Sequence, residues 1–172
     1  MSFVVEDGTG VADSNSYTSE AFADAYFLDR SNATWAAASS SEKEVALVKA
    51  TDYIELRFRD RWQGNLSPDA TTLSFPRQYL YDRKGELVEG VPTDVQKATC
   101  EYALRALSAS LLPDPTVADS GQAIKRIFEK VGPIETETEY EGGAARPDLI
   151  RPYPTADRLL VYWITGTGGV TR

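Results

Sequence analysis

The sequence predicts a mainly α-helical fold: a helical bundle with an appended antiparallel β-hairpin and flexible termini. Apolar residues recur at spacings of three and four in three segments before residue 112, whereas residues 122–141 alternate with a period of two. The 172 residues suffice for one compact domain. Its predicted parts are an N-terminal arm (1–17), the bundle (18–112), a linker (113–121), the hairpin (122–141), a C-terminal helix (154–165) and a tail (166–172).

Two amphipathic helices open the predicted bundle. The first begins at the N-capping residues Thr18 and Ser19 and ends at Arg30. The residues that share one face of this helix are Phe22, Ala25, Tyr26 and Asp29. The second helix begins at a capping box formed by Ser41 and Glu44. Its apolar stripe consists of Leu47, Ala50, Thr51, Ile54, Phe58 and Trp62.

A third helix is apolar on most of its sides. It begins at Thr93 as the predicted N-cap and is stopped by Pro113 and Pro115. Because its polar residues occupy one narrow stripe, the helix belongs at the centre of a bundle or between subunits. Cys100 lies on the apolar side and is predicted to be a core residue. The apolar face of the short C-terminal helix consists of Ala156, Leu159, Leu160 and Trp163.

The predicted hairpin consists of "AIKRIFEKV" and "IETETEY", which flank Gly132 and Pro133. Glutamates at positions 135, 137 and 139 point to one side of the second strand. They spread over about 13 Å at roughly 3.3 Å per residue, whereas a cation needs converging ligands. The alternative to a cation site is a polar face that pairs with Lys125, Arg126 or Lys130 in the hairpin or on a neighbouring chain.

The composition limits the chemistry that the chain can perform. There is no histidine and one cysteine, which argues against a zinc site and removes the usual general base. No nucleophile, base and oxyanion-binding group occur together, so no enzymatic activity, catalytic residue, metal or cofactor is predicted. The net charge of −8 disfavours tight binding to a phosphate backbone. No apolar run is long enough for a membrane span, and the single cysteine fits a reducing cytoplasm.

Two segments nevertheless combine basic and aromatic residues, as proteins that bind single strands do. They are "RFRDRW" and "FPRQYLYDRKG". The alternative interpretation is structural, because Phe58 and Trp62 belong to the apolar stripe and "LYDRKGEL" fits a turn opened by Asp82 with Gly85 at positive φ. A surface for DNA built from these segments would consist of Arg57, Arg59, Arg61, Trp62, Arg77, Arg83 and Lys84.

A series of segments resembles a family of tailed-bacteriophage proteins. In chain order they are "VEDGTGVADSNSY", "ADAYFLDR", "EKEVALVKATDYI", "FPRQYLYDRKG", "VPTDVQKATCEYALRAL", "LLPDP" and "KVGPIETETEY". The family is that of head–tail connector (adaptor) proteins, which also carries the label of DnaT-like single-stranded DNA-binding proteins. The resemblance extends over nearly the whole chain, and no catalytic residue comes with it.

The resemblance implies a structural virion protein at the neck, made in the host cytoplasm. It implies a homo-oligomeric ring, twelvefold, that binds the portal and links it to tail or neck proteins while double-stranded DNA passes through the lumen. The predicted subunit and portal interface consists of Lys125, Ile127, Phe128, Lys130, Ile134, Glu135, Thr136, Glu137, Thr138, Glu139, Tyr140, Leu159 and Trp163. The alternatives are a single-stranded DNA-binding accessory protein and a tail-completion protein.

Overall fold

The computed structural model describes residues 2–112, 124–130, 135–140 and 152–164, with residues 124–130 and 135–140 described by their backbone. The chain divides into two compact units. Unit 1 comprises Met1–Leu111 and Pro152–Arg172, and unit 2 comprises Leu112–Arg151. The mainly helical fold with an antiparallel hairpin is confirmed.

Unit 1 contains the helices and one short two-stranded sheet. The sheet pairs β1 with β2 in antiparallel orientation. The elements are α1 (Glu20–Leu28), α2 (Ala33–Ala37), α3 (Ser40–Phe58), β1 (Asn65–Leu66), β2 (Arg77–Gln78), α4 (Thr93–Ala106) and α5 (Pro154–Leu160), with single 3-10 turns at Arg59–Arg61 and Val161–Trp163.

Helix α1 begins as predicted but buries a different face. The Ser19 side chain accepts a hydrogen bond from the Phe22 backbone and caps the helix. The buried residues are Ala23 and Phe27, whereas the predicted face contains the exposed Ala25. The reason is the short helix α2, which the sequence pattern did not predict. Its Trp35 ring packs 4.8 Å from that of Phe27 and draws that side of α1 into the core.

Helix α3 carries the predicted apolar stripe, and its start lies two residues earlier than predicted. The capping box is formed by Ser39 and Glu42 and not by Ser41 and Glu44. The stripe from Leu47 to Trp62 is buried along its whole length. The α-helix ends at Phe58, yet Trp62 remains buried because its ring packs 5.0 Å from that of Phe75. Tertiary packing therefore extends the stripe beyond the helix itself.

Helix α4 lies at the centre of unit 1, in contact with α1, α3 and α5. This placement confirms a helix that is covered on most sides. Pro92 occupies the N-cap and Thr93 is the first helical residue, which corrects the predicted cap. Cys100 is fully buried, and burial raises the pKa of its thiol to about 12. The thiol is therefore neutral and acts as a core side chain.

Helix α5 is attached to the bundle through Asp157. The Asp157 carboxylate accepts two hydrogen bonds from the Arg57 guanidinium, at 2.7 and 2.9 Å, and one from the Tyr153 backbone at 3.1 Å. It also accepts a hydrogen bond from the Tyr102 hydroxyl. Burial, followed by this hydrogen bond, raises the pKa of Tyr102 well above its usual value, so the phenol stays protonated and donates. One carboxylate thus joins α3, α4 and α5.

A second carboxylate organises the N-terminal arm. Glu6 is 1% exposed, and its side chain accepts hydrogen bonds from the backbone of Gly8, Gly10 and Val11 at 2.9 to 3.0 Å. The Ser14 hydroxyl donates a further one at 3.1 Å. We call residues 6–14 the Glu6 loop. The N-terminal arm thus forms a loop around its own carboxylate.

Unit 2 contains the hairpin of β3 (Ile124–Lys130) and β4 (Glu135–Tyr140). The strands pair in antiparallel orientation, with Lys130 opposite Glu135 and Ile127 opposite Thr138. The predicted hairpin is confirmed for these strands. Its predicted turn, the linker before it and the tail after α5 lie outside the described residues.

Candidate nucleic-acid interface

Three of the residues predicted to contact DNA, one buried and two half-buried, are held by contacts within the fold. Trp62 is 4% exposed and packs in the core. Arg57 forms the ion pair with Asp157. The Arg77 guanidinium donates to the backbone carbonyls of Gln63, Gly64 and Ser74 at 2.8 to 3.1 Å. The guanidinium groups of the two arginines and the ring of Trp62 therefore contact the protein itself.

The arginines of the 3-10 turn after α3 are exposed. The Arg59 side chain is 61% exposed and forms a salt bridge with the nearly buried Glu55 at 3.0 Å. The Arg61 guanidinium lies 5.9 Å from the centre of the Phe58 ring. Both residues remain on the surface near α3, but each already contacts a neighbour within its own helical segment.

The segment from Leu80 to Val88 is a tight turn, as the sequence predicted. The Asp82 backbone donates to the Glu86 carbonyl at 2.9 Å, and Tyr81 pairs with Leu87 across the turn. Gly85 has a φ of 83°, and a Cβ added there would meet no atom within 4 Å. The backbone of Lys84 and of Glu86 donates to the Asp82 carboxylate, each at 2.8 Å. These bonds, led by that from Glu86, lower the pKa of Asp82.

Aromatic and basic side chains lie on the surface in this turn and beside it. Tyr79 is 64% exposed and Tyr81 is 47% exposed. The guanidinium of Arg83 lies 5.2 Å from the centre of the Tyr162 ring, and the Tyr162 hydroxyl donates to the Tyr81 carbonyl at 3.2 Å. We call the set Tyr79, Tyr81, Arg83, Lys84 and Tyr162 the turn surface. Of the predicted DNA contacts, Arg83 and Lys84 lie here.

The local sequence pattern did not predict a role for Tyr162. It follows α5 and is separated from Tyr81 by 81 positions. No local spacing connects the two residues, because the contact depends on α5 returning to the bundle after unit 2. The available signal was an aromatic residue next to Trp163 that does not belong to the apolar face of α5.

Of the predicted subunit and portal interface, the structure describes few side chains. Trp163 is 6% exposed and donates from its indole nitrogen to Asp94 at 3.2 Å, and Leu159 is half-buried. Both pack within unit 1. Ile134 lies outside the described residues, and the other ten members belong to β3 and β4, of which the backbone is described.

Comparison with family models matches residues 1–172 to the family described as "Putative DnaT-like ssDNA binding protein". The chain belongs to this DnaT-like family. Comparison with curated proteins and with solved structures gives no match. Among the residues that the structure describes, no helix is both long and apolar enough to cross a membrane. The family resemblance seen in the sequence is thus confirmed for its DnaT-like description, and the comparisons give no support to the connector assignment.

Proposed function

We propose that this DnaT-like protein binds single-stranded DNA through the turn surface. The observation that carries the proposal is the match of the whole chain, residues 1–172, to the DnaT-like family. The turn surface supports it, since the exposed Tyr79 and Tyr81 offer stacking faces and the neighbouring turn carries the exposed cations of Arg83 and Lys84. Arg57, Trp62 and Arg77 take no part because the fold uses them internally.

The charge of the molecule defines what kind of binding to expect. A net charge of −8 repels phosphates at long range, so binding depends on local contacts. If Arg83 and Lys84 each neutralise one phosphate, the slope of log affinity against log salt is about −1.4 for a single strand. Affinity should then fall about sevenfold between 50 and 200 mM salt. Such binding is weak, and it is less sensitive to salt than that of a basic protein, which contacts more phosphates.

Reversing the charge of Lys84 tests this surface. We expect Lys84→Glu to weaken binding of a fluorescent oligothymidine by about fivefold and to reduce the salt slope by about 0.7, because one phosphate contact is lost. Fluorescence anisotropy at several salt concentrations measures both quantities. Lys49→Glu is the matched control, since Lys49 is exposed on α3 and the charge change is identical. Equal weakening in both variants would show that the loss of affinity comes from the net charge of the protein and not from a contact at Lys84. If the parent protein does not bind the oligonucleotide at low salt, the proposal is refuted.

A second candidate function is that of a head–tail adaptor in a virion. It is favoured by the ordered series of sequence segments from "VEDGTGVADSNSY" to "KVGPIETETEY". The hairpin forms a compact unit of its own, which suits an element used in assembly. A negative net charge also suits a ring that lets double-stranded DNA pass without gripping it. Portal and tail proteins would then be the partners.

Electron microscopy of particles tests the adaptor candidate. We expect ring-shaped density below the portal in virions, and its loss when residues 125–140 are removed, because the hairpin would carry the contacts. Circular dichroism of the shortened chain should retain the helical signal, since the helices belong to unit 1. Particles without such density, or unchanged assembly after removal of the hairpin, would rule out this role.

A further inference from the structure

We propose that Tyr79 is the stacking residue of the turn surface and receives an unpaired nucleobase on its ring. This inference rests on the proposed binding of single-stranded DNA and adds the residue that contacts the base. It begins from an unusual backbone. Tyr79 has a φ of 56°, in the left-handed region that aromatic residues rarely adopt. Such a conformation costs free energy and persists only where the surrounding structure imposes it.

The segments on both sides of Tyr79 impose this conformation. On the N-terminal side, Gln78 pairs with Asn65 in the β1–β2 sheet, and the Arg77 guanidinium is bound to the carbonyls of Gln63 and Gly64. On the C-terminal side, Leu80 is 1% exposed, and its carbonyl accepts a hydrogen bond of 2.8 Å from the Val88 backbone. Tyr79 therefore lies between two anchored residues.

Gly64 completes the constraint by allowing a close approach of the two backbones. A Cβ added at Gly64 would lie 2.5 Å from the Gln78 carbonyl oxygen and 3.2 Å from that of Tyr79. Gly64 itself has a φ of 70°, which glycine adopts at little cost. The backbone at position 79 is thus held from outside and does not depend on the Tyr79 side chain.

The Tyr79 ring contributes little to the fold that holds it. It is 64% exposed, so it adds little buried apolar area. Glycine or asparagine would adopt the same φ at lower cost. A large aromatic side chain at a strained, exposed position is consistent with a role in contacting a ligand.

The neighbouring residues define the chemistry of that ligand. An exposed aromatic ring stacks on the face of any base. The exposed cations of Arg83 and Lys84, in the turn that follows Tyr79, suit the phosphates of the same strand. Bases in a duplex are already stacked on one another, whereas those of a single strand are free to stack on a side chain. The ligand is therefore a single strand recognised with little preference for base identity.

The test compares Tyr79→Asn and Tyr79→Phe with the parent protein. We expect Tyr79→Asn to bind oligothymidine about tenfold more weakly, which is the size of effect that loss of one stacked base produces. Tyr79→Phe should bind as the parent does, because the stacking face remains. An oligothymidine in which abasic sites replace alternate bases should bind the parent more weakly and should reduce the difference between parent and Tyr79→Asn.

Thermal unfolding of the same variants separates a binding role from a structural one. Tyr79→Asn should unfold at the same temperature as the parent or above it, because asparagine tolerates positive φ better than tyrosine. A lower unfolding temperature, or equal oligothymidine affinity of parent and Tyr79→Asn, would overturn the inference while leaving DNA binding itself intact. An absence of binding by the parent would instead overturn the proposed function and this inference with it.

Discussion

Replacing Asp157 with alanine is expected to lower the free energy of unfolding by about 3 kcal/mol, as loss of one partner from a largely buried ion pair does. The substitution removes the shared acceptor of the Tyr102 hydroxyl and the Tyr153 backbone. It also removes the counter-ion of Arg57, whose guanidinium keeps the neutral Tyr53 hydroxyl as an acceptor. The side chains of the ion pair are 19% and 20% exposed, so water offsets part of the loss and the effect stays at the lower end of the range. Urea unfolding followed by circular dichroism measures it.

The position of Asp157 allows a close control on the same helix. Arg158→Gln removes a charge from an exposed neighbour on α5 and should change stability little. The double variant of Asp157→Ala with Arg57→Met should be less destabilised than the sum of the two single changes, because the unpaired guanidinium is gone. Additive effects would show that the two side chains do not stabilise each other. A loss of stability in Arg158→Gln equal to that in Asp157→Ala would show a general sensitivity of α5.

Replacing Glu6 with alanine is expected to cost about 3 kcal/mol of unfolding free energy, since one buried and three partly buried donors lose their acceptor and each carries a desolvation penalty. The Glu6 carboxylate is the acceptor for three backbone N–H groups and the Ser14 hydroxyl. Glu6→Gln should be less destabilised than Glu6→Ala, because the amide oxygen still accepts hydrogen bonds. It should remain less stable than the parent, because the amide NH₂ group cannot accept from the donors that faced the second carboxylate oxygen. Denaturant unfolding of the three proteins gives the comparison.

Asp7 is the matched control for Glu6, as the next acidic residue along the chain. It is exposed and accepts hydrogen bonds from the backbone and hydroxyl of Thr9. Since water replaces these bonds, Asp7→Ala should leave stability nearly unchanged. Destabilisation of the same size at both positions would contradict the role assigned to the Glu6 carboxylate.

The candidate DNA surface shows which of its features could be predicted from local sequence patterns. The pattern correctly placed Phe58 and Trp62 in an apolar stripe, and correctly predicted the turn opened by Asp82. It could not separate Arg77, whose donors bind backbone carbonyls, from Arg83, which lies over the Tyr162 ring. The two arginines differ in their tertiary partners and not in their local sequence, so both fitted a basic surface equally well.

Helix α1 and helix α3 also show which features local sequence can predict and which depend on tertiary contacts. The start of α1 at Ser19 depends on a side chain and a backbone group three residues apart, and it was predicted. The buried face of α1 depends on Trp35, which belongs to the next helix, and it was predicted wrongly. The capping box of α3 was displaced by two residues because the run of serines before the helix offers several equivalent caps.

The sequence by itself determined the helical class, the hairpin, the apolar stripe of α3 and the covering of α4 on most of its sides. These features follow from the spacing of residues that are close along the chain. The tertiary structure alone decided which charged and aromatic residues remain on the surface. The Arg57 guanidinium is engaged within the fold because Asp157, 100 positions away, lies beside it. The Tyr79 side chain is exposed, and the residues on both sides of it are held by backbone hydrogen bonds. Pairings over such distances depend on the folded arrangement, and no local spacing encodes them.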